Sequence, residues 1–158
     1  MNIDSLELLA NIVLETLKVL AALSAALFAG AAIYINVAEH PARMALDTRS
    51  AVMQWAPSYK RATWMQAPLA IVSFLAGASA WVLGGAVLWL IAALLVGAVV
   101  PITFILIMPT NHQLLAAQRD LDSEETRQLL ERWGKLHGVR SLLSGIATVL
   151  MMWGLHAS

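Results

Sequence analysis

The fold is decided by residues 62–118, ATWMQAPLAIVSFLAGASAWVLGGAVLWLIAALLVGAVVPITFILIMPTNHQLLAAQ, a run without a single Asp, Glu, Lys or Arg. As one helix this stretch would measure about 85 Å at 1.5 Å per residue. A bilayer is crossed by about 20 apolar residues, so the segment must fold back on itself. Gly84-Gly85 is the expected turn, because paired glycines break helices and accept unusual backbone angles. Two shorter charge-free runs flank it, residues 19–38 and 141–158. Four spans are therefore expected, at about 17–38, 58–83, 86–108 and 138–155.

Composition agrees. Of 158 residues, 59% are hydrophobic and only 13% charged, and the mean hydropathy is +0.72. A soluble domain of this size needs more charge to cover its surface. Hydrocarbon demands that backbone polar groups be satisfied internally, and the apolar runs are too continuous for the alternation of a membrane β-barrel. The expected fold is all-α, an integral membrane four-helix bundle with amphipathic cytoplasmic helices between spans 1–2 and 3–4, spanning residues 1–158 as one domain. The net charge is zero, so no basic field is available for nucleic acid. Cysteine is absent, which excludes disulfides, thiolate catalysis and iron–sulfur clusters. Asp4, Glu7 and Glu15 precede the first apolar core where a secretory leader carries positive charge, so this helix is expected to be retained.

Nine of the ten basic residues fall in 39–61 and 109–140; only Lys18 lies on the other side. The positive-inside rule then predicts both large loops in the cytoplasm and both termini outside, in the inner membrane if the source is bacterial. Pro41 is expected to open a short surface helix to about Gln54, ended by Trp55 and Pro57. Asp122 and Glu125 have capping-box spacing for a helix running into span four. Trp81 and Trp89 flank the outer turn and read as an interfacial aromatic belt.

Polar residues recur at one depth. Trp133, His137, Arg140 and Ser144 share a helix face, as do Asn36, His40 and Arg43. Tyr59, Thr63 and Gln66 form a third set, and Gln66 should face another helix or a ligand. Pro109-Thr110-Asn111 closes span three on the same side. Each group alone also fits interfacial anchoring, capping or helix termination; their convergence favours a site built between facing helices. Trp55, Tyr59 and Trp133 would line a flat aromatic pocket, His40 and His137 would act as acid or base, and Asn111 or Arg140 would stabilise an oxyanion. Asn36, Arg43 and Gln66 complete the substrate-binding set. Such chemistry suits a hydrophobic phenolic or enolisable aromatic molecule. No His-x-x-x-His, Glu-x-x-His or Cys-x-x-Cys pair occurs, although His40 and His137 could ligate haem or a metal ion. A non-enzymatic assembly or transport module remains a further alternative, and residues 21–32, rich in small side chains, could pack internally or form a homo-oligomer seam.

In order, Glu39-His40-Pro41-Ala42-Arg43, Trp55-Ala56-Pro57-Ser58-Tyr59-Lys60-Arg61-Ala62, Pro109-Thr110-Asn111 and Trp133-Gly134-Lys135-Leu136-His137-Gly138-Val139-Arg140 resemble the anthrone oxygenase-like membrane proteins, grouped as domain of unknown function 1772. The resemblance runs from about Leu20 to Trp153. It implies four membrane spans and, for some members, oxidation of anthrones to anthraquinones with O2 as co-substrate and no recognisable flavin or nicotinamide site. The matching motif positions are His40, Asn111, Trp133, His137 and Arg140.

Overall fold

A computed structural model describes residues 2–157, among which helices joined by short turns are the only regular elements. Helix α1 (Ile3–Tyr34) runs through a π-helical turn (Ile35–Glu39) into α2 (His40–Met44). Helix α3 (Thr48–Val82) follows, then α4 (Val87–Ile102), a second π-helical turn (Thr103–Ile107), α5 (Met108–Leu114) and α6 (Glu124–His156). Four continuous helical stretches are long and apolar enough to cross a membrane: Ile3–Met44, Thr48–Val82, Val87–Leu114 and Glu124–His156. The protein is thus an integral membrane four-helix bundle.

The helices form a square. Helix α1 packs on α3 and α6, α4 packs on the same two, and α1 and α4 sit on a diagonal. Small residues let the backbones approach. On α1 they are Ala21, Ala25, Ala29 and Ala32, facing Ala70, Ser73 and Ala80 of α3 and Ser144 and Ala147 of α6, all buried. One apolar cluster fills the end near the Gly84 turn, centred on Phe28, Trp89 and Met151. A second fills the opposite end around Trp55, Ile107, Leu130 and Trp133. The outer surface exposes Leu23, Leu27, Leu75, Leu94, Leu142 and Val149, a belt of large apolar side chains of the kind that contacts lipid.

The turn between α3 and α4 is where the glycines placed it. Gly84 adopts φ +101°, and the Gly85 N–H donates to the Ala80 carbonyl at 2.9 Å.

Several expected boundaries move. The 41–54 surface helix is not a separate element: α2 stops at Met44, Asp47 caps α3 by accepting from the Ser50 N–H at 2.9 Å, and α3 then runs unbroken past Trp55, Pro57 and Pro68. A proline inside a helix loses one hydrogen bond and clashes with the preceding turn, at about 3 kcal/mol. The packing of Ala51, Val52 and Trp55 before Pro57, and of Gln66 and Ala70 after it, outweighs that cost, since all five are buried. Backbone and hydroxyl hydrogen bonds from Ser50 also hold the exposed Asp47 carboxyl below its ordinary range. Pro109 likewise does not end the third span, which continues to Leu114. In both cases the π-turn ends two residues before the proline, at Glu39 before Pro41 and at Ile107 before Pro109. A widened turn accommodates the missing donor and the ring. The last helix is capped by Ser123, whose hydroxyl accepts from the Thr126 N–H at 3.2 Å. Asp122 instead pairs with Arg49 at 2.5 Å, joining the start of α3 to the approach to α6. Trp89 does not belong to an interfacial belt: it is 2% exposed, its ring lying against Gly154, where an added Cβ would come within 3.1 Å. Trp81 alone of the pair is exposed.

A Cβ at Gly85 would lie 2.6 Å from the Ala80 carbonyl oxygen, a collision with backbone that no rotamer relieves. Gly85→Ala is expected to lower the thermal midpoint in detergent more than Ala86→Gly at the next position; equal effects would show that the turn tolerates a side chain.

Candidate functional site

The site lies at the bundle end that carries α2 and α5. Its organising residue is Asn36, on the π-turn of α1. Its Nδ2 donates to the Gly134 carbonyl at 2.9 Å, while its Oδ1 accepts from Ser141 Oγ at 2.6 Å and lies 2.7 Å from His137 Nδ1. A carbonyl can only accept, so the Gly134 contact fixes the orientation of the amide. Oδ1 must then accept from the imidazole, which places the His137 proton on Nδ1. In the neutral ring the lone pair sits on Nε2.

A second network closes the gap between α1 and α3. Arg43, 2% exposed, donates to Glu39 and to Gln54, and Glu39 also accepts from Ser58 Oγ. Arg127 of α6 donates to the carbonyls of Met44 and Leu46, tying the α2–α3 turn to α6.

Aromatic rings fill the middle. Trp133 stacks on His137 at 4.9 Å between centroids, meets the edge of Trp55 at 5.9 Å and lies 5.5 Å from His40. Trp55 stacks on Tyr59 at 5.2 Å with a 5° interplanar angle. The Arg43 guanidinium lies 5.8 Å from the Trp133 ring. His40 fits because residue 134 is glycine: an added Cβ there would fall 2.2 Å from His40 Nε2.

Arg140, unlike Arg43, has no carboxylate beside it among the described residues. It is 9% exposed, donates to Gln66 Oε1 at 2.8 Å and lies 5.4 Å from the Phe28 ring. Its Nε, the Gln66 Nε2 and the Arg43 Nη1 are buried without hydrogen-bond partners. All three side chains line one small chamber of about 10 Å³ with Tyr59, His137 and Trp133, whose own Nε1 is also buried and unpartnered. That is room for one water-sized atom and for no ring.

The chamber adjoins two wider spaces. A polar-rimmed cleft of about 530 Å³ opens between α1 and α3 and shares Ile35, Ser58, Ala62 and Gln66 with it. An apolar hollow of about 100 Å³ lies along α3 and α4, bounded by Phe28, Phe104 and Met108, and shares Tyr59, Thr63 and Arg140.

Of the residues singled out from sequence, Arg43, Tyr59, Gln66, Trp133, His137 and Arg140 line the chamber. Asn36 braces it and Trp55 stacks beneath Tyr59. His40 does not stack on His137; each contacts Trp133. Asn111 is fully buried on α5 with both amide atoms unpartnered, and no hydrogen bond joins it to the Arg140–Gln66 pair. No group of three or more His, Cys, Asp or Glu gathers as metal ligands among the described residues. Sequence reasoning assigned no role to Glu39, Gln54, Ser58, Gly134 and Ser141, although Glu39, Ser58 and Gly134 stand in the quoted motifs. The Glu39–Arg43 pair has the i, i+4 spacing that signals a helical ion pair; the others required the fold.

Removing one member of a buried ion pair typically costs 3–5 kcal/mol. Glu39→Gln is expected to destabilise by about 2–4 kcal/mol, given that Glu39 is partly exposed, and Glu39→Gln/Arg43→Gln by less than Glu39→Gln alone. Thermal unfolding of the two variants in detergent checks this; a double variant worse than the single one would mean that Arg43 is held by other contacts. Gly134→Ala is expected to displace the His40 ring, visible as a shifted His40 imidazole resonance with the His137 signal retained.

No curated protein and no solved structure matches the chain. A sequence profile described as anthrone oxygenase matches residues 55–150, covering α3 from Trp55, α4, α5 and α6 to Leu150, and therefore Tyr59, Gln66, Asn111, Trp133, His137 and Arg140. The four spans and the ordered motifs agree with that match, and the chain belongs to the anthrone oxygenase family.

Proposed function

We propose that the protein is a membrane-embedded oxygenase that converts an anthrone-like aromatic into the corresponding quinone with O2. The observation that carries this reading is a chamber of about 10 Å³ lined by four side chains with buried, unpartnered N–H donors, Arg43, Gln66, Trp133 and Arg140. A guanidinium without a counter-charge inside a bundle calls for an anionic partner, and the chamber admits an oxygen but no ring.

The substrate's keto oxygen occupies the chamber, with its rings beside Phe28, Tyr59 and Phe104, whose side chains must move apart to widen the hollow of about 100 Å³. As the activated CH2 loses a proton, negative charge develops on that oxygen, where Arg140 and Gln66 stabilise the enolate. His137 Nε2 receives the proton; Asn36 holds its tautomer. The electron-rich ring carbon then forms a C–O bond with O2, and loss of one water leaves the new carbonyl. Substrate, O2, quinone and water balance one to one. Trp133 and His40 position the His137 ring. With nine of ten basic residues at this end, the site faces the cytoplasm and both termini face outside.

The test is turnover of an anthrone panel by purified protein in nanodiscs, with O2 uptake followed in parallel. Arg140→Met is expected to lower kcat/KM by about 10²–10³, and His137→Ala by about 10²–10⁴. His40→Ala should cost less than either. Folded Arg140→Met and His137→Ala proteins working at the wild-type rate would overturn the assignment.

A further inference from the structure

The hollow that receives the rings has an apolar neighbour. Ala70 and Val100 also line a second, almost wholly apolar groove of about 600 Å³ between α3 and α4, directly adjoining the first. Together the two run from Tyr59 to Leu75 on α3, roughly 24 Å at 1.5 Å per residue. On α4 and its continuation they run from Leu94 to Met108, roughly 21 Å by the same rise. One end meets Arg140; the other opens towards the middle of the apolar stretch. Three fused rings would fill less than half of that length. The remainder is floored by small residues, Ala70, Gly97 and Ala98, with Phe74 lying so close over Gly97 that an added Cβ would come within 2.7 Å of its ring.

From this adjacency we infer that the natural substrate is amphipathic: an anthrone-type aromatic head carrying a long hydrocarbon substituent, which lies in the α3–α4 groove while the head oxygen sits at Arg140. The inference rests on the proposed function for the position of the head. Since lipid tails are as apolar as the groove, its walls add no hydrophobic drive inside the bilayer. Selectivity arises from alignment: a seated chain orients the head before it reaches the chamber.

The experiment uses full-length protein in nanodiscs and two unreactive probes, anthraquinone and a 2-n-decyl anthraquinone, at equal mole fraction in lipid. Quenching of the tryptophan fluorescence reports binding, and turnover of the matching anthrones is measured alongside. The decyl probe is expected to bind about tenfold more tightly. Gly97→Leu should abolish that difference while leaving the parent probe unchanged. Ala98→Leu, which leaves the Phe74 contact in place, should do the same if Gly97→Leu fails to fold. Equal binding of the two probes to wild-type protein, as when the groove holds only a phospholipid chain, overturns the inference. So does an advantage that survives both substitutions. Decyl-selective binding without turnover of either anthrone would instead overturn the oxygenase reading and leave the groove assignment standing.

Discussion

The polar end of this bundle depends on the side chain of Asn36. Its amide bridges α1 to three points on α6: a backbone carbonyl, a hydroxyl and an imidazole. Within hydrocarbon each of those groups would be expensive to leave alone. One carboxamide settles all three, and in doing so fixes the distance between the helices and the protonation pattern of His137. The π-turn beneath it belongs to the same arrangement. It places Asn36 and Glu39 one turn apart and relieves Pro41, so that Arg43 still turns inward.

Around that brace the electrostatics divide into two kinds. Arg43 is compensated by Glu39 and flanked by Gln54 and an indole face. Arg140, at the same bundle end, has one neutral hydrogen-bond partner and a phenyl ring. The first carries its own counter-charge, with only Nη1 left unpartnered. The second leaves donor capacity facing a cavity, which is the signature of a group awaiting a ligand.

Much of this was legible before the fold was known. Gaps in charge located all four spans, and the four-three-four spacing of Trp133, His137, Arg140 and Ser144 correctly put them on one buried face. Gln66, a lone amide in an apolar run, was rightly expected to have a partner. Local rules failed at the prolines: Pro57 and Pro109 read as terminators because their cost is local, whereas the packing that overrides it comes from residues distant in sequence. Likewise Asp122 had better capping spacing than Ser123, yet Arg49, 73 positions away, claims its carboxylate. Gly134 carried no signal of its own, since only the approach of His40 gives its missing side chain a meaning.

The two π-turns give the chain a hidden pairing. Superimposing Pro41 on Pro109 sets Asn36 against Phe104, His40 against Met108 and Arg43 against Asn111. The two diagonal helices thus share a backbone device but not a chemistry. One presents amide, imidazole and guanidinium; the other presents mainly a phenyl ring and a thioether. One therefore ties the polar end of the bundle together while the other lines the apolar hollow, so a single backbone device serves bracing on one diagonal and cavity-making on the other.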